Sequence, residues 1–567
     1  MPKDKNFKSL SKKTTEHEFY TSAPKGYKPG RTKYIVIMGS VMSGVGKGTF
    51  TASLGNLLSL LHGFRVSPIK FDGYLNYDAG TLNPYRHGEV FVLDDGKECD
   101  LDMGSYERMF DKDLPKDNYL TGGKIFKDII DRERSGSYLG RDVQFIPHVT
   151  GEIKGFLRRN AMKNDADIVM VEVGGTVGDI ENSYFIEAMR ELAYEEGREN
   201  VCFVNVTYIM EPKSLGEQKS KAAQLGIRNL MALGIQPNLI VCRSRSPVKE
   251  SVREKISIYS NVPVERVIGL SDVSSIYHLP VYLREMNVDQ SVMEILGLKK
   301  KKNGSEKFRK WLELVRKIDS AKKDVTIGIT GKYTEVHDSY MSILKALEHT
   351  APYHGASVSV EWIETTDITP SNVMERMEGI DGIIVPGGFG ARGTEGKIEC
   401  IRYARENDIP YFGLCFGFQM AVLEYARNVC GLKKAASTEI DSDAKEPVIC
   451  ILPEQEEIEE LGGTMRLGGH DVRVKKGTLA HRLYGKDRVR ERFRHRFNVN
   501  TDYIEKLEKC GLVFSGMAPK KRIMQIMELP GNRFHLGVQF HPEFTSKPLS
   551  PNPLYMGFMK AVAERKS

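Results

Sequence analysis

No stretch of the 567-residue sequence approaches the roughly 20 consecutive apolar residues that a helix needs to cross a bilayer, so no membrane role is expected. The first twenty residues, MPKDKNFKSLSKKTTEHEFY, have no apolar core of the kind a secretory signal carries. Their acidic residues and weak amphipathic pattern argue against an organellar transit peptide. The eight cysteines, Cys99, Cys202, Cys242, Cys400, Cys415, Cys430, Cys450 and Cys510, form no CxxC pair. That leaves neither a zinc site nor a disulfide framework to expect, and it suits a reducing cytoplasm. A long basic tract is also missing. A net charge of +7 on 82 lysines and arginines permits binding of anions such as nucleotides but gives no grip on nucleic acid. The remaining composition, 40% hydrophobic and 28% charged, is that of a globular protein too long for one core.

What is present is punctuated by glycine. Residues 1–30 are rich in Lys, Ser and Thr and end in Pro24, Gly26, Pro29 and Gly30. They read as a flexible N-terminal arm. The run Lys33-Tyr34-Ile35-Val36-Ile37-Met38 predicts a buried strand. It leads into the loop Gly39 to Thr49, whose later part is Ser43-Gly44-Val45-Gly46-Lys47-Gly48-Thr49. A helical pattern over Phe50 to His62 follows. Strand, Gly-rich loop with a lysine, then helix is the layout of a phosphate-binding loop. Backbone N–H groups and the helix dipole receive phosphates, and Lys47 supplies a point charge. The loop is a variant: Val41 stands where the strict pattern has its first Gly, and Gly48 displaces the hydroxyl to Thr49.

Two acidic stretches are candidates for holding Mg²⁺, which takes one or two carboxylates plus phosphate oxygens. One is Asp94 to Asp102. The other is Glu172, in the apolar strand Ile168 to Val173 before Gly174-Gly175-Thr176-Val177-Gly178-Asp179-Ile180-Glu181. In α/β sheets ligands collect at such strand ends. Two further strand–helix units follow, Val201–Ile209 with Glu217–Leu233 and Asn238–Cys242 with Val248–Ser260. Repeated βα units predict a doubly wound, mostly parallel sheet over 31–298. Lys299 to Ser305 opens a linker over 299–323, with an amphipathic helix at Phe308 to Ile318.

A second α/β domain, 324–567, starts at the strand Val325 to Gly331, with another at Val358 to Ile363. Asp381-Gly382-Ile383-Ile384-Val385 runs into Pro386-Gly387-Gly388-Phe389-Gly390, a turn able to aim N–H groups at an oxyanion. Ile409 to Phe412 runs into Gly413-Leu414-Cys415-Phe416-Gly417-Phe418-Gln419, a nucleophile-elbow pattern. Residues 441–460 read as a surface excursion, and Arg492 to Phe497 as a basic-aromatic cluster. The last strand, Phe534 to Phe540, ends at His541-Pro542-Glu543. Glutamine hydrolysis at a thiol needs a thiolate, a base that carries the proton to departing ammonia, and a carboxylate that orients the base. Cys415, His541 and Glu543 fit those roles, with Gly387 and Gly388 as oxyanion donors.

The second half resembles class I glutamine amidotransferase domains. The first half resembles the synthetase domain of the CTP synthase family, over Gly39–Thr49, Lys70–Asp102, Glu172–Glu181, Gly216–Gln224 and Lys255. The resemblance covers residues 31–565. It implies conversion of UTP to CTP with ATP and glutamine, through a 4-phosphorylated UTP. It implies ATP phosphates at Gly44, Val45, Gly46, Lys47, Gly48 and Thr49, with Lys47 and Lys70 on the transferring phosphoryl group. Asp102 and Glu172 match Mg²⁺ ligands, Asp102 also belonging to the ATP site. Ser43, Asp179, Ile180, Glu181, Lys219, Ser220, Lys221, Ala222, Ala223, Gln224 and Lys255 match the pyrimidine-nucleotide site shared by UTP and inhibitory CTP. Gly388, Phe416, Gly417, Phe418, Gln419, Glu439 and Arg496 match glutamine-binding positions, and His87 a position near an ammonia passage. GTP is the implied activator, with Arg392 and Arg494 as candidate contacts, and the implied assembly is a homotetramer that builds filaments. The family usually has Lys-Thr-Lys-Pro-Thr-Gln where this chain has Lys219-Ser220-Lys221-Ala222-Ala223-Gln224. Two rival readings remain: a glutamine-fuelled ligase acting on cobyrinate or a biotin precursor, and a filament protein without catalysis. The Lys219–Gln224 pattern argues against the first, and the intact candidate residues argue against the second.

Overall fold

The computed structural model describes residues 23–138, 141–212, 216–301, 305–331, 337–455 and 463–566. Residues 1–22 of the expected arm and 456–460 of the expected surface excursion lie outside these ranges. The chain forms two compact units that do not follow its linear halves. One comprises residues 1–78 and 117–312, the other 79–116 and 313–567.

The first unit is built on a seven-stranded sheet. Its order is Tyr119–Thr121, Val66–Asp72, Ile168–Val173, Lys33–Gly39, Val201–Tyr208, Leu239–Ser244 and Val267–Ser271. Every neighbouring pair is parallel. Parallel strands covered on both faces read as continuous apolar runs, and Val66–Asp72 and Ile168–Val173 are buried throughout. One face packs Tyr34, Val36, Phe71 and Val171 against Phe185, Met189 and Leu192, with Phe71 and Phe185 stacked at 4.7 Å. The other face buries Ile227, Ile240 and Ile256. The helices are shorter at their N-termini than the sequence pattern suggests, Lys221–Ala232 and Glu250–Ser260. Lys219 and Ser220 therefore precede a helix instead of riding on it.

Part of the expected arm is anchored. The Tyr27 hydroxyl meets the Tyr34 hydroxyl at 2.7 Å and donates to Glu196 at 2.9 Å. The Gly30 N–H donates to the same carboxylate at 3.0 Å. The expected linker is largely a helix, Ser305–Ser320. In it Trp311 is fully buried and donates its indole N–H to the Tyr277 carbonyl at 3.0 Å.

The second unit is a nine-stranded mixed sheet, not a purely parallel one. Ala356–Glu364, Lys323–Gly331, Gly382–Val385, Tyr411–Leu414 and His535–Val538 run parallel. Met524–Glu528, Val513–Met517, Arg466–Val474 and Arg488–His495 extend it antiparallel. The expected surface excursion contains the strand Glu446–Ile451, part of a small three-stranded sheet. Helix Phe416–Asn428 is almost wholly buried behind the parallel strands. Residues 79–116 complete this unit through charge and aromatic contacts. Arg492, fully buried, meets Glu107 at 2.8 Å and Asp113 at 2.9 Å. Phe91 packs edge-on to Phe544 at 5.0 Å.

Candidate functional site

The second unit brings its three candidate catalytic residues into one cavity of about 120 Å³. Cys415 follows the strand Tyr411–Leu414 directly, and helix Phe416–Asn428 begins at the next residue. The sharp turn places Cys415 at φ 49°, a left-handed conformation that costs a non-glycine residue on the order of 1–3 kcal/mol. Its flanking glycines are needed for space. A Cβ on Gly413 would come within 2.8 Å of the Gly417 backbone, and one on Gly417 within 2.1 Å of the Val385 carbonyl. The Cys415 N–H is held by the Val538 carbonyl at 2.7 Å, fixing the elbow against the strand that delivers His541.

His541 Nδ1 meets Glu543 Oε1 at 2.7 Å. The two-residue step across Pro542 puts both side chains on one side of the turn. Phe544 stacks on the imidazole at 4.9 Å and fixes its plane. Among the described residues Nε2 has no hydrogen-bond partner. The Cys415 thiol donates to the Arg494 carbonyl at 3.5 Å and accepts from the Gln539 amide at 3.6 Å, and its charge bears on the ring. Burial alone would push this histidine's pKa down. The charge of Glu543, then that of Cys415, together with the Glu543 hydrogen bond, outweigh it and lift the pKa to about 10. Gly387 and Gly388 line the same cavity, and a Cβ on Gly387 would come within 2.8 Å of His541 Cε1.

The expected glutamine contacts divide. Gly388 lines the cavity; Phe416, Gly417, Phe418, Gln419, Glu439 and Arg496 are not among its lining residues. Phe418 belongs to the core. Gln419 donates to the Phe497 carbonyl at 3.1 Å. Glu439 accepts from the Gly390 N–H at 3.0 Å, and Arg496 donates to Thr464 at 2.8 Å. Sequence reasoning did not single out Glu89, Tyr340 or Lys397, all of which line the cavity. Their signal is weak because each comes from a different segment of the chain. Arg494, a candidate GTP contact, is tied to Glu98 at 2.8 Å, and Arg490 to Asp94 at 2.9 Å. Much of the acidic stretch 94–102 thus serves the basic-aromatic strand. Asp102 begins the helix Asp102–Phe110 of this unit.

In the first unit the Gly-rich loop joins the strand Lys33–Gly39 to the helix Lys47–Asn56. Gly44 and Gly46 carry φ 69° and 90°, which glycine adopts freely, but Val41 carries φ 80°, a genuine outlier for a β-branched residue. No side chain caps the helix N-terminus, so its N–H groups suit an anion. Val45, Gly48 and Lys47 are buried, and Thr49 is half-buried. Lys47 donates to the Gly175 carbonyl at 2.8 Å, at the turn after the strand that carries Glu172. Lys70 donates to Glu172 at 3.0 Å and lies 3.8 Å from Asp72. The pairing explains how Glu172 is tolerated at 1% exposure. Arg243, missed from sequence, would lie 3.4 Å from a Cβ on Gly46 and is braced by Asp272 at 3.0 Å.

The expected pyrimidine-site residues are mostly open to solvent. Ser43, Asp179, Ile180, Glu181, Lys219, Lys221 and Lys255 are exposed, and Ala222 is half-buried. Asp179 accepts from the Thr176 N–H at 2.9 Å. Ser220, Ala223 and Gln224 are buried, and Gln224 donates to the Ser220 hydroxyl at 3.0 Å. Lys219 pairs with Glu217, whose acidity is strengthened by that hydrogen bond and charge and further by Lys255 and Lys249.

Sequence comparisons agree with both halves. The family "CTP synthase N-terminus" matches residues 33–298, and "Glutamine amidotransferase class-I" matches residues 335–561. A CTP synthase of Thermococcus gammatolerans is 53% identical over 536 residues, covering 94% of this chain and 99% of that protein. One from Archaeoglobus fulgidus is 48% identical over 530 residues, covering 94% and 98%. Among solved structures, the glutaminase domain of Trypanosoma brucei CTPS with bound acivicin is 38% identical. It covers 42% of this chain and 94% of that one, with a TM-score of 0.40. Matched in both halves and aligned with such relatives over nearly its whole length, the chain belongs to the CTP synthase family of glutamine-dependent ligases.

Proposed function

We propose that the chain aminates UTP to CTP through two linked chemistries, glutamine hydrolysis at Cys415 and phosphoryl transfer at the Lys47 loop. The observation that carries this reading is the strained, buried Cys415 sharing one cavity with the hydrogen-bonded pair His541–Glu543. The Cys415 thiolate attacks the glutamine side-chain amide, and the backbone at Gly387 and Gly388 supports the oxyanion. His541 gives its proton to the departing nitrogen, and Glu543 keeps its imidazole oriented. Water then releases glutamate from the thioester.

At the other site the UTP 4-oxygen is a poor leaving group until ATP phosphorylates it. The loop Gly44–Thr49 receives the ATP phosphates. Lys47 and Lys70 offset the charge on the moving phosphoryl group. The oxygen donors around Lys70 suit a hard divalent cation. Asp102 and Glu172 are each taken as Mg²⁺ ligands, as the resemblance to the family implies. When bound, Mg²⁺ would neutralise phosphate charge. Ser43, Asp179–Glu181, Lys219–Gln224 and Lys255 would hold UTP, and in feedback CTP. GTP activation, a homotetramer with filaments and a cytoplasmic location belong to the same reading. Among the described residues no helix is long and apolar enough to cross a membrane.

The reading is tested by incubating the protein with UTP, ATP, Mg²⁺ and glutamine and following absorbance for CTP. CTP formation dependent on all four is expected; glutamate release without any CTP would overturn the synthetase half.

A further inference from the structure

The cavity beside Cys415 holds a second carboxyl that the Cys–His–Glu arrangement does not use. Glu89 lies just before the strand Phe91–Val92 and reaches the N-terminus of helix Met341–Thr350. Both its oxygens accept from the Ser342 N–H, each at 3.0 Å, and one accepts from the Ser342 hydroxyl. That hydroxyl oxygen in turn accepts from Arg108 at 3.1 Å. Glu89 lines the same cavity as Cys415, His541 and Glu543. The charged groups that bear on it are Arg108 and Glu543. The charges of Glu89 and Glu543 both bear on Tyr555, from helix Pro553–Arg565, whose hydroxyl has no hydrogen-bond partner among the described residues. Tyr340, Lys397 and Arg494 complete the polar wall.

Burial pushes Glu89 up to about 7, assisted by Glu543, while Arg108 and the two Ser342 donors pull the other way. Helix capping accounts for the Ser342 bonds. It does not account for a carboxyl in the reaction cavity poised to gain or lose a proton near neutrality.

The chemistry of the site leaves one proton over. Acylation is balanced: the C–N bond of the amide breaks, the C–S bond forms, and the thiol proton passes through His541 to nitrogen, giving NH₃. In deacylation water breaks the C–S bond. One of its protons restores the thiol, and the new carboxylic acid ionises. The sum is glutamate carboxylate, NH₃ and H⁺. In water the proton would join ammonia and give ammonium, which has no lone pair for attack. In a buried cavity desolvation raises a carboxyl's pKa and lowers that of ammonium, favouring the neutral pair of carboxylic acid and ammonia.

We propose that Glu89 accepts the proton left by glutamine hydrolysis, so that the nitrogen remains in the cavity as neutral ammonia. This rests on the Cys415–His541–Glu543 reading. Glu89 returns the proton to solvent once glutamate has left.

The test uses Glu89→Gln, which keeps the shape and a carbonyl for the Ser342 N–H but cannot take a proton. CTP and glutamate formed from glutamine are measured together between about pH 6 and pH 8, with CTP from added ammonia as the reference at each pH. In the wild type the CTP-to-glutamate ratio is expected to be near one at pH 8. It should fall as pH drops through about 7 and Glu89 arrives already protonated. In E89Q the ratio should be several-fold lower at pH 8 and insensitive to pH, the two curves meeting near pH 6. An E89Q ratio equal to wild type at pH 8 overturns the proposal. So does a wild-type ratio that stays level down to pH 6, a measurement that needs no variant to fold. Failure of the underlying triad reading looks different: Cys415→Ala would still release glutamate.

Discussion

The two candidate sites of this chain are prepared in opposite ways. In the second unit the candidate reacting groups share one cavity and two of them are already hydrogen-bonded. Glu543 holds His541, the imidazole lines the same cavity as the sulfur, and a strained backbone presents that sulfur there. In the first unit the cations are bound to the protein itself, Lys47 to the Gly175 carbonyl and Lys70 to Glu172. The exposed Lys219 is paired with Glu217. The difference follows from the chemistry. A covalent nucleophile must be activated before substrate arrives, so its partners are built in. Phosphoryl transfer is catalysed by placing charge around a ligand that brings its own charge. In the proposed reading, the lysines that would meet phosphates are held by internal oxygens.

The largest break in this comparison is expected from Lys47→Ala. It should lower CTP formation by about a thousandfold or more with either glutamine or ammonia, while glutamate release continues. Initial rates with each nitrogen donor check this, and retained synthesis with ammonia would remove Lys47 from the transfer step. Next comes Glu543→Gln, expected to cost about a hundredfold to ten-thousandfold in glutamine-dependent rate alone. It should also move the histidine's titration below its value of about 10, because Glu543 is the largest of the influences raising it. The pH profile of glutamate release reads both effects.

Arg492→Ala should destabilise the second unit by about 3–5 kcal/mol by leaving Glu107 buried without its partner. Denaturant unfolding measures this, and a change below about 1 kcal/mol would mean the pair is dispensable. The smallest effect concerns Glu491, which burial raises to about 7. Its folded value exceeds the unfolded one of about 4.3. The native state therefore binds the extra proton, and stability falls by about 4 kcal/mol as pH rises between those values. Glu491→Gln should flatten that slope in thermal unfolding from pH 5 to pH 8. The Thr545 hydroxyl that donates to Glu491 can turn to the Pro542 carbonyl at 3.1 Å.

Much of this was legible in the sequence where the signal is local. Parallel strands buried on both faces appear as apolar runs, so the strand before Lys47 and the strand ending at Glu172 are readable. The Gly413–Gly417 elbow is readable because both glycines answer to contacts within a few residues or one strand away. Other features depend on distant partners. Asp94 and Arg490 are 396 residues apart, so the acidic stretch looks like a solvated face or a metal site until its arginines are placed beside it. The strand Arg488–His495 lies at the edge of the sheet and is rich in charge, which conceals its β character. The basic-aromatic pattern is visible there, but its purpose is not. Glu89 gives no motif at all, because its meaning comes from Ser342 and Arg108 on two other helices. Trp311 likewise turns an expected linker into a packed helix through one distant carbonyl.

The most direct measurement compares glutamine and ammonia as nitrogen donors for Cys415→Ala. The two-site account predicts that glutamine-dependent CTP formation disappears while ammonia-dependent formation stays at the wild-type rate. Glutamine-dependent synthesis surviving in this variant, or loss of the ammonia route with it, would contradict the account.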